Sequence, residues 1–139
     1  MRHIFLSLVV LQTSALFAQD LNIKELSINQ HVIKAEFAFT PAAREKGLMN
    51  RTQMDEEHGM LFKFDKPAQY CMWMKNTLIP LSVAFIDKEG KILNIEDMQA
   101  NTEESHCAKG EAMFALEMNL AWFTQKQIVE GSSVRGIRD

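Results

Sequence analysis

Cys71 and Cys107 are the two cysteines of this 139-residue chain, and their pairing decides much of the chemistry open to it. In an oxidising compartment the simplest product of such a pair is a disulfide. It would close a loop of about 35 residues, worth roughly 3–4 kcal/mol in chain-entropy terms. The competing reading is a metal site with His58 and His106 as further ligands. His106-Cys107 lacks the paired C-x-x-C or H-x-x-x-H spacing of zinc sites, so no metal is assigned. Cys71 with His106 could also be a nucleophile and its base, but a disulfide removes the thiolate that this needs.

Other catalytic signatures are absent from the sequence: no G-x-S-x-G elbow, no H-E-x-x-H helix and no glycine-rich phosphate loop. Asp97 with Glu117 would make a sugar-cleaving pair only if the fold brought them within about 5–10 Å. His31 begins a strand and reads as a surface residue. Eight methionines follow Met1. Thioethers suit Cu(I), but Met60, Met72, Met74 and Met118 fall on strand-like apolar patterns, which points to core packing. No cofactor is implied.

A second group of residues could recognise a ligand. Trp73 carries a large apolar body with an N–H donor, and Lys75 a charge on a flexible stem. Arg44, Arg51, Trp73, Lys75 and Asn76 would form a small binding pocket if they converged, with the indole stacked on a ligand and the cations on its carboxylate or hydroxyls. The plainer alternative is that Trp73-Met-Lys-Asn-Thr77 is a strand and a turn demanded by the fold.

The elements that must position these residues are mainly strands. Leu21 to Ile28 and Val32 to Phe39 alternate apolar and polar residues. Thr40-Pro41 announces a short helix, with Thr as cap, Pro in the first turn and Gly47 as the stop. Asn50 to His58 is a loop or a further helical turn. Gly59–Phe64, Tyr70–Lys75 and Leu81–Ile86 read as strands, and Asp87-Lys-Glu-Gly90 as a hairpin turn leading into Lys91–Ile95. Residues 99–111 read as a long loop tied down by Cys107. Ala112–Met118 is a strand, Leu120–Gln127 a short helix and Ser133–Ile137 a closing strand. About seven strands with two short helices predict a compact antiparallel β-sandwich or open barrel.

Three linked motifs carry a resemblance. They are Arg44-Glu-Lys-Gly47-Leu-Met-Asn-Arg51, Gly59-Met-Leu-Phe-Lys-Phe64 and Trp73-Met-Lys-Asn-Thr77 followed by Pro80-Leu81. With Ala84-Phe-Ile-Asp87, Gly90-Lys-Ile92, Leu116-Glu-Met118 and Gly131, they resemble the domain of unknown function 192 family over nearly all of the chain beyond residue 18. Cys71 and Ser105-His-Cys107 look like an exported branch of it. The resemblance implies a compact β-rich fold and no reaction. Ala121 departs from it, since a glycine is expected before Trp122.

The first residues read as an export signal. Arg2 and His3 start it, Ile4–Leu11 supplies an apolar run, and Ala15–Ala18 offers a small-residue exit before Asp20. Gln12, Thr13 and Ser14 interrupt the apolar stretch, which falls short of the roughly 20 residues of a membrane anchor. Cleavage is expected after Ala18, with Ala15 as the alternative. Residues 19–139 then form one domain of about 120 residues. Loss of Arg2 takes the formal net charge from −3 to about −4, which supplies no broad attraction for nucleic acid or anionic lipid. The expectation is a periplasmic or secreted monomer that binds a small molecule or envelope component. The alternatives are a hydrolase of an envelope glycan and a structural or protein-interaction domain.

Overall fold

The computed structural model describes residues 22–138, so the export signal expected over residues 1–18 lies outside the described residues. The fold is mainly β. A seven-stranded sheet curls into a half-barrel, and a separate two-stranded sheet sits beside it.

The chain enters the large sheet through the hairpin β1 (Ile23–Ile28) and β2 (His31–Ala38), turned at Asn29 in the left-handed region. Helix α1 (Pro41–Lys46) follows. Its sequence signals act as expected: Thr40 Oγ1 accepts from the Ala43 amide at 3.1 Å, Pro41 opens the first turn, and the Gly47 amide closes on Ala43. Strand β3 (His58–Ala68) then returns parallel to β2, the one departure from the antiparallel pattern expected. Beyond it lie β5 (Leu81–Ile86), β6 (Ile92–Met98), β8 (Ala112–Asn119) and β9 (Val134–Arg135), giving the order β6-β5-β8-β3-β2-β1-β9. The small sheet pairs β4 (Cys71–Met72) with β7 (His106–Cys107).

The expected strand over Tyr70–Lys75 shrinks to two residues because the Met74 amide bonds to Thr102 and Asn76 takes a left-handed turn conformation. Side-chain exposure nonetheless alternates: Cys71, Trp73 and Lys75 are exposed, while Met74 is fully buried. The polar stretch 99–111 holds β7, a two-residue element too short to leave a periodic signature. Strand β3 runs on through Pro67, tolerated because the register with β8 breaks between Lys63 and Ala68.

Both faces of the large sheet are buried. One carries Leu26, Ile33, Leu61, Leu116 and Met118 against Trp122 and Phe123 of helix α2 (Trp122–Gln125). The other carries Met60, Phe62, Val83 and Phe85 against Leu48 and Met74, from the segments after α1 and β4. Met60, Met74 and Met118 are core residues, as their patterns indicated; Met72, grouped with them, is only partly buried, and Met98 joins the core from β6.

Two backbone positions explain specific residue choices. The hairpin turn at Asp87 is held by its Oδ1, which accepts from the Glu89 and Lys91 amides at 2.9 Å each, and Gly90 supplies the positive φ of 87°. Ala121, where the family resemblance led us to expect glycine, also sits in the left-handed region at φ 63° and ψ 9°. The corner is tied by its amide, which donates to the buried Ser82 hydroxyl at 2.8 Å. An alanine there carries about 1–2 kcal/mol of strain that glycine would not. Ala121→Gly is therefore expected to stabilise the fold by about 0.5–1 kcal/mol after the added chain entropy of glycine. A rise in the urea midpoint checks this, and an unchanged or lower midpoint contradicts it.

Candidate functional site

Strand β8 lies beside the central strand of the sheet, with β3 and β5 bonded to its two edges. Register places Glu117 directly opposite Met60 on β3 and Val83 on β5, so its side chain shares a face with that apolar cluster. The strands approach closely at this point. A Cβ on Gly59 would lie 2.4 Å from the Glu117 carbonyl oxygen and 2.4 Å from the Met118 sulfur, which leaves room only for glycine. Glu117 is 4% exposed. Burial among apolar groups pushes its carboxyl up to about 8. Among the described residues no hydrogen bond or ion pair reaches this carboxyl.

The carboxyl faces a cavity of about 80 Å³. Its walls come from three separate parts of the chain. Arg44, Lys46 and Gly47 contribute from α1 and its end, Cys71, Met72 and Trp73 from β4 and the turn after it, and Phe62 and Glu117 from the sheet. Backbone bonds hold the roof in place. The Asn50 amide donates to Asn76 at 2.8 Å, the Asn101 amide to Thr77 at 2.9 Å, and the Met74 amide to Thr102 at 3.0 Å. Asn50, Asn76 and Asn101 all have positive φ, which asparagine tolerates better than most residues.

The disulfide Cys71–Cys107 is formed and joins directly opposed residues across β4 and β7. It closes the wall that carries Met72 and Trp73. The buried Asn94 clamps the same wall to β6: its amide nitrogen donates to the Cys107 carbonyl at 3.1 Å, and its oxygen accepts from the Lys109 amide at 2.9 Å. Asn94→Ala would strand both backbone groups and is expected to cost about 2 kcal/mol. Chemical denaturation checks this; a loss under about 0.5 kcal/mol would show that solvent replaces both bonds.

Of the five residues expected to bind a ligand, the structure brings two to this cavity, Arg44 and Trp73. Arg44 is largely committed elsewhere: it donates to the Phe39 and Lys63 carbonyls at 2.6 and 3.0 Å and pairs with Asp65 at 3.3 Å. Arg51 faces away and forms a two-pronged ion pair with Glu36, which is 8% exposed. Lys75 stands over the Trp73 ring, 5.3 Å from its centroid, so it covers one face of the indole and does not line the cavity. Asn76 acts through its backbone in the turn. Arg51→Ala would leave the buried Glu36 without its cation and would not touch the cavity.

Glu117 is the residue that sequence reasoning undervalued. It was visible as the charged member of Leu116-Glu-Met118, flanked by apolar residues on a strand pattern. The pairing of Asp97 with Glu117 fails on register: Asp97 lies opposite Ser82, which lies opposite Met118, so Asp97 and Glu117 project from opposite faces of the sheet. Asp97 instead accepts from the Ser82 hydroxyl at 2.5 Å. A larger cleft of about 410 Å³, bordered by Phe37, Phe39 and Phe64, has only Lys63 and Asp65 as charged lining groups, both exposed. It lacks a buried ionisable group.

Comparison with known proteins agrees with the fold. A crystal structure from Sinorhizobium meliloti, of a protein provisionally named a transcription regulator, is 32% identical with a TM-score of 0.80, covering 82% of this chain and 93% of that one. A protein of unknown function from Novosphingobium aromaticivorans is 31% identical with a TM-score of 0.81, covering 85% and 88%. None of the curated proteins matches the chain. Residues 23–136 match the family described as uncharacterized ACR, and the chain therefore belongs to the domain of unknown function 192 family.

Proposed function

We propose that this chain is an exported binding module whose site is the Glu117 cavity, with a small oxygen-bearing ligand or envelope component as its occupant. The observation that carries the reading is a carboxyl group 4% exposed, raised to about 8 and facing a cavity without a protein partner. Such a group costs stability, and perturbed ionisable groups in cavities concentrate at functional sites. At neutral pH it is a protonated acid, so it offers one O–H to an acceptor oxygen. Trp73, 47% exposed, supplies an apolar surface at the mouth, and Lys46 a positive charge.

Export is supported by the order of basic, apolar and small residues at the N-terminus and by the disulfide. Among the described residues no helix is long and apolar enough to cross a membrane. A formal charge of −3 argues for a small molecule over nucleic acid as partner.

The test is amide and indole shift mapping with small amides, carboxylates and monosaccharides at millimolar concentration. Saturable shifts centred on Trp73 and Thr77 are expected. For a neutral ligand the affinity should hold constant below pH 8 and fall about tenfold per unit above it, because only the protonated acid donates. Glu117→Leu should abolish binding. Shifts elsewhere on the surface, or affinity unaffected by Glu117→Leu, would overturn the reading.

A further inference from the structure

The cavity also holds a sulfur. Cys71 is exposed while Cys107 is half-buried, and Cys71 is the one that lines the cavity together with Glu117. A space of about 80 Å³ holds only a few waters. Glu117 and Cys71 therefore border the same small space, across which water can relay a proton. Thiol–disulfide exchange needs an accessible sulfur and a thiolate to attack it, and a nearby group that gives and takes the thiol proton can speed it.

We propose that the Cys71–Cys107 disulfide exchanges with a dithiol substrate, with Cys71 as the sulfur attacked and Glu117 as the group that carries its proton. This rests on the cavity being the functional site and adds a reaction to it. A substrate thiolate attacks Cys71 Sγ. The Cys71–Cys107 bond breaks, and its electron pair leaves on Cys107, which takes a proton from solvent. The second substrate thiolate then attacks the substrate sulfur of the mixed disulfide. Cys71 leaves with that electron pair and receives the Glu117 proton, which solvent later restores. The substrate dithiol is oxidised to a disulfide by two electrons, and the protein pair is reduced by the same two. In reverse, the Glu117 carboxylate draws the proton from Cys71 as it attacks a substrate disulfide.

The Glu117 carboxyl, which burial holds at about 8, lies close to the ordinary thiol value of about 8.5, so the transfer is nearly balanced. The other charged groups that line the cavity are Arg44, Glu45 and Lys46, from α1. Arg44 is held by Asp65, so Lys46 is, among the described residues, the cation of the lining without such a partner. His106 Nε2 is buried without a hydrogen-bond partner, beside Cys107 on the same strand.

The experiment follows reduction of the oxidised protein by dithiothreitol, and reoxidation of the reduced protein by oxidised glutathione, at pH 7. Glu117→Gln should slow both at least tenfold while mass and circular dichroism show an intact disulfide and fold, and Glu117→Asp should restore part of the rate. Rates within twofold of the parent would overturn the proposal. So would reduction that proceeds only as fast as global unfolding in the same buffer, the behaviour of a buried staple. Ligand mapping on Cys71→Ser/Cys107→Ser separates the two ideas. Retained shifts at Trp73 with failed exchange in the parent leave the binding reading standing and remove this one.

Discussion

Glu117→Gln should stabilise the protein by as much as about 5 kcal/mol at pH 9 and leave it almost unchanged at pH 4. The figure follows from a carboxyl whose ordinary value of 4.5 rises to about 8 in the folded state, at about 1.4 kcal/mol per unit. The sign is fixed by proton binding. Between pH 4.5 and 8 the folded state holds a proton that the unfolded state has released, so stability falls as pH rises through this window and levels off above 8. Glutamine keeps the shape and cannot ionise, so its stability curve lacks this slope. Water entering the cavity eases the cost of the charge, which makes 5 kcal/mol a ceiling. Urea unfolding of parent and variant at pH 4, 7 and 9 measures the difference, and parallel curves would contradict it.

Removing the disulfide should have the next largest effect. The bridge spans a sequence separation of 36, for which the chain-entropy relation gives roughly 3–4 kcal/mol. Folding in Cys71→Ala/Cys107→Ala must hold the two-stranded sheet with only two residue pairs and the Asn94 clamp. The loss should therefore be felt first in the cavity wall, as broadening of the Trp73 and Thr77 signals well below the global midpoint. A double variant within 1 kcal/mol of the parent would show that the wall is held without the bridge.

Much of the fold was legible in the sequence because its signals are local. Alternation marked β1 and β2, an apolar run marked β5, and Thr40-Pro41 with Gly47 bounded α1 where Oγ1 capping and the Gly47 amide do so. The Asp87–Gly90 turn needed only residues within itself. The cysteine pairing was readable from compartment and number. Elements made by long-range partners were not legible. β7 exists because β4 lies opposite it, and the shortened Tyr70–Lys75 segment because Thr102 captures the Met74 amide.

The site was legible only in part for the same reason. Arg44 and Arg51 looked like free cations, yet each is taken up by a carboxylate that sequence cannot place beside it: Asp65 is 21 residues away and Glu36 is 15. The chemical weight of Glu117 comes from Met60 and Val83 across two strand boundaries. Nothing in its own segment distinguishes it from an exposed strand glutamate except the apolar residues on both sides.

Binding, and exchange in the direction that reduces the protein, depend on Glu117 being a neutral acid at physiological pH. A carbon-detected NMR titration of the Glu117 carboxyl, assigned by its disappearance in Glu117→Gln, measures this directly. A midpoint near 8 is expected. A midpoint near the ordinary value of about 4.5 would mean a hydrated, ionised carboxylate and would contradict both roles assigned to the cavity.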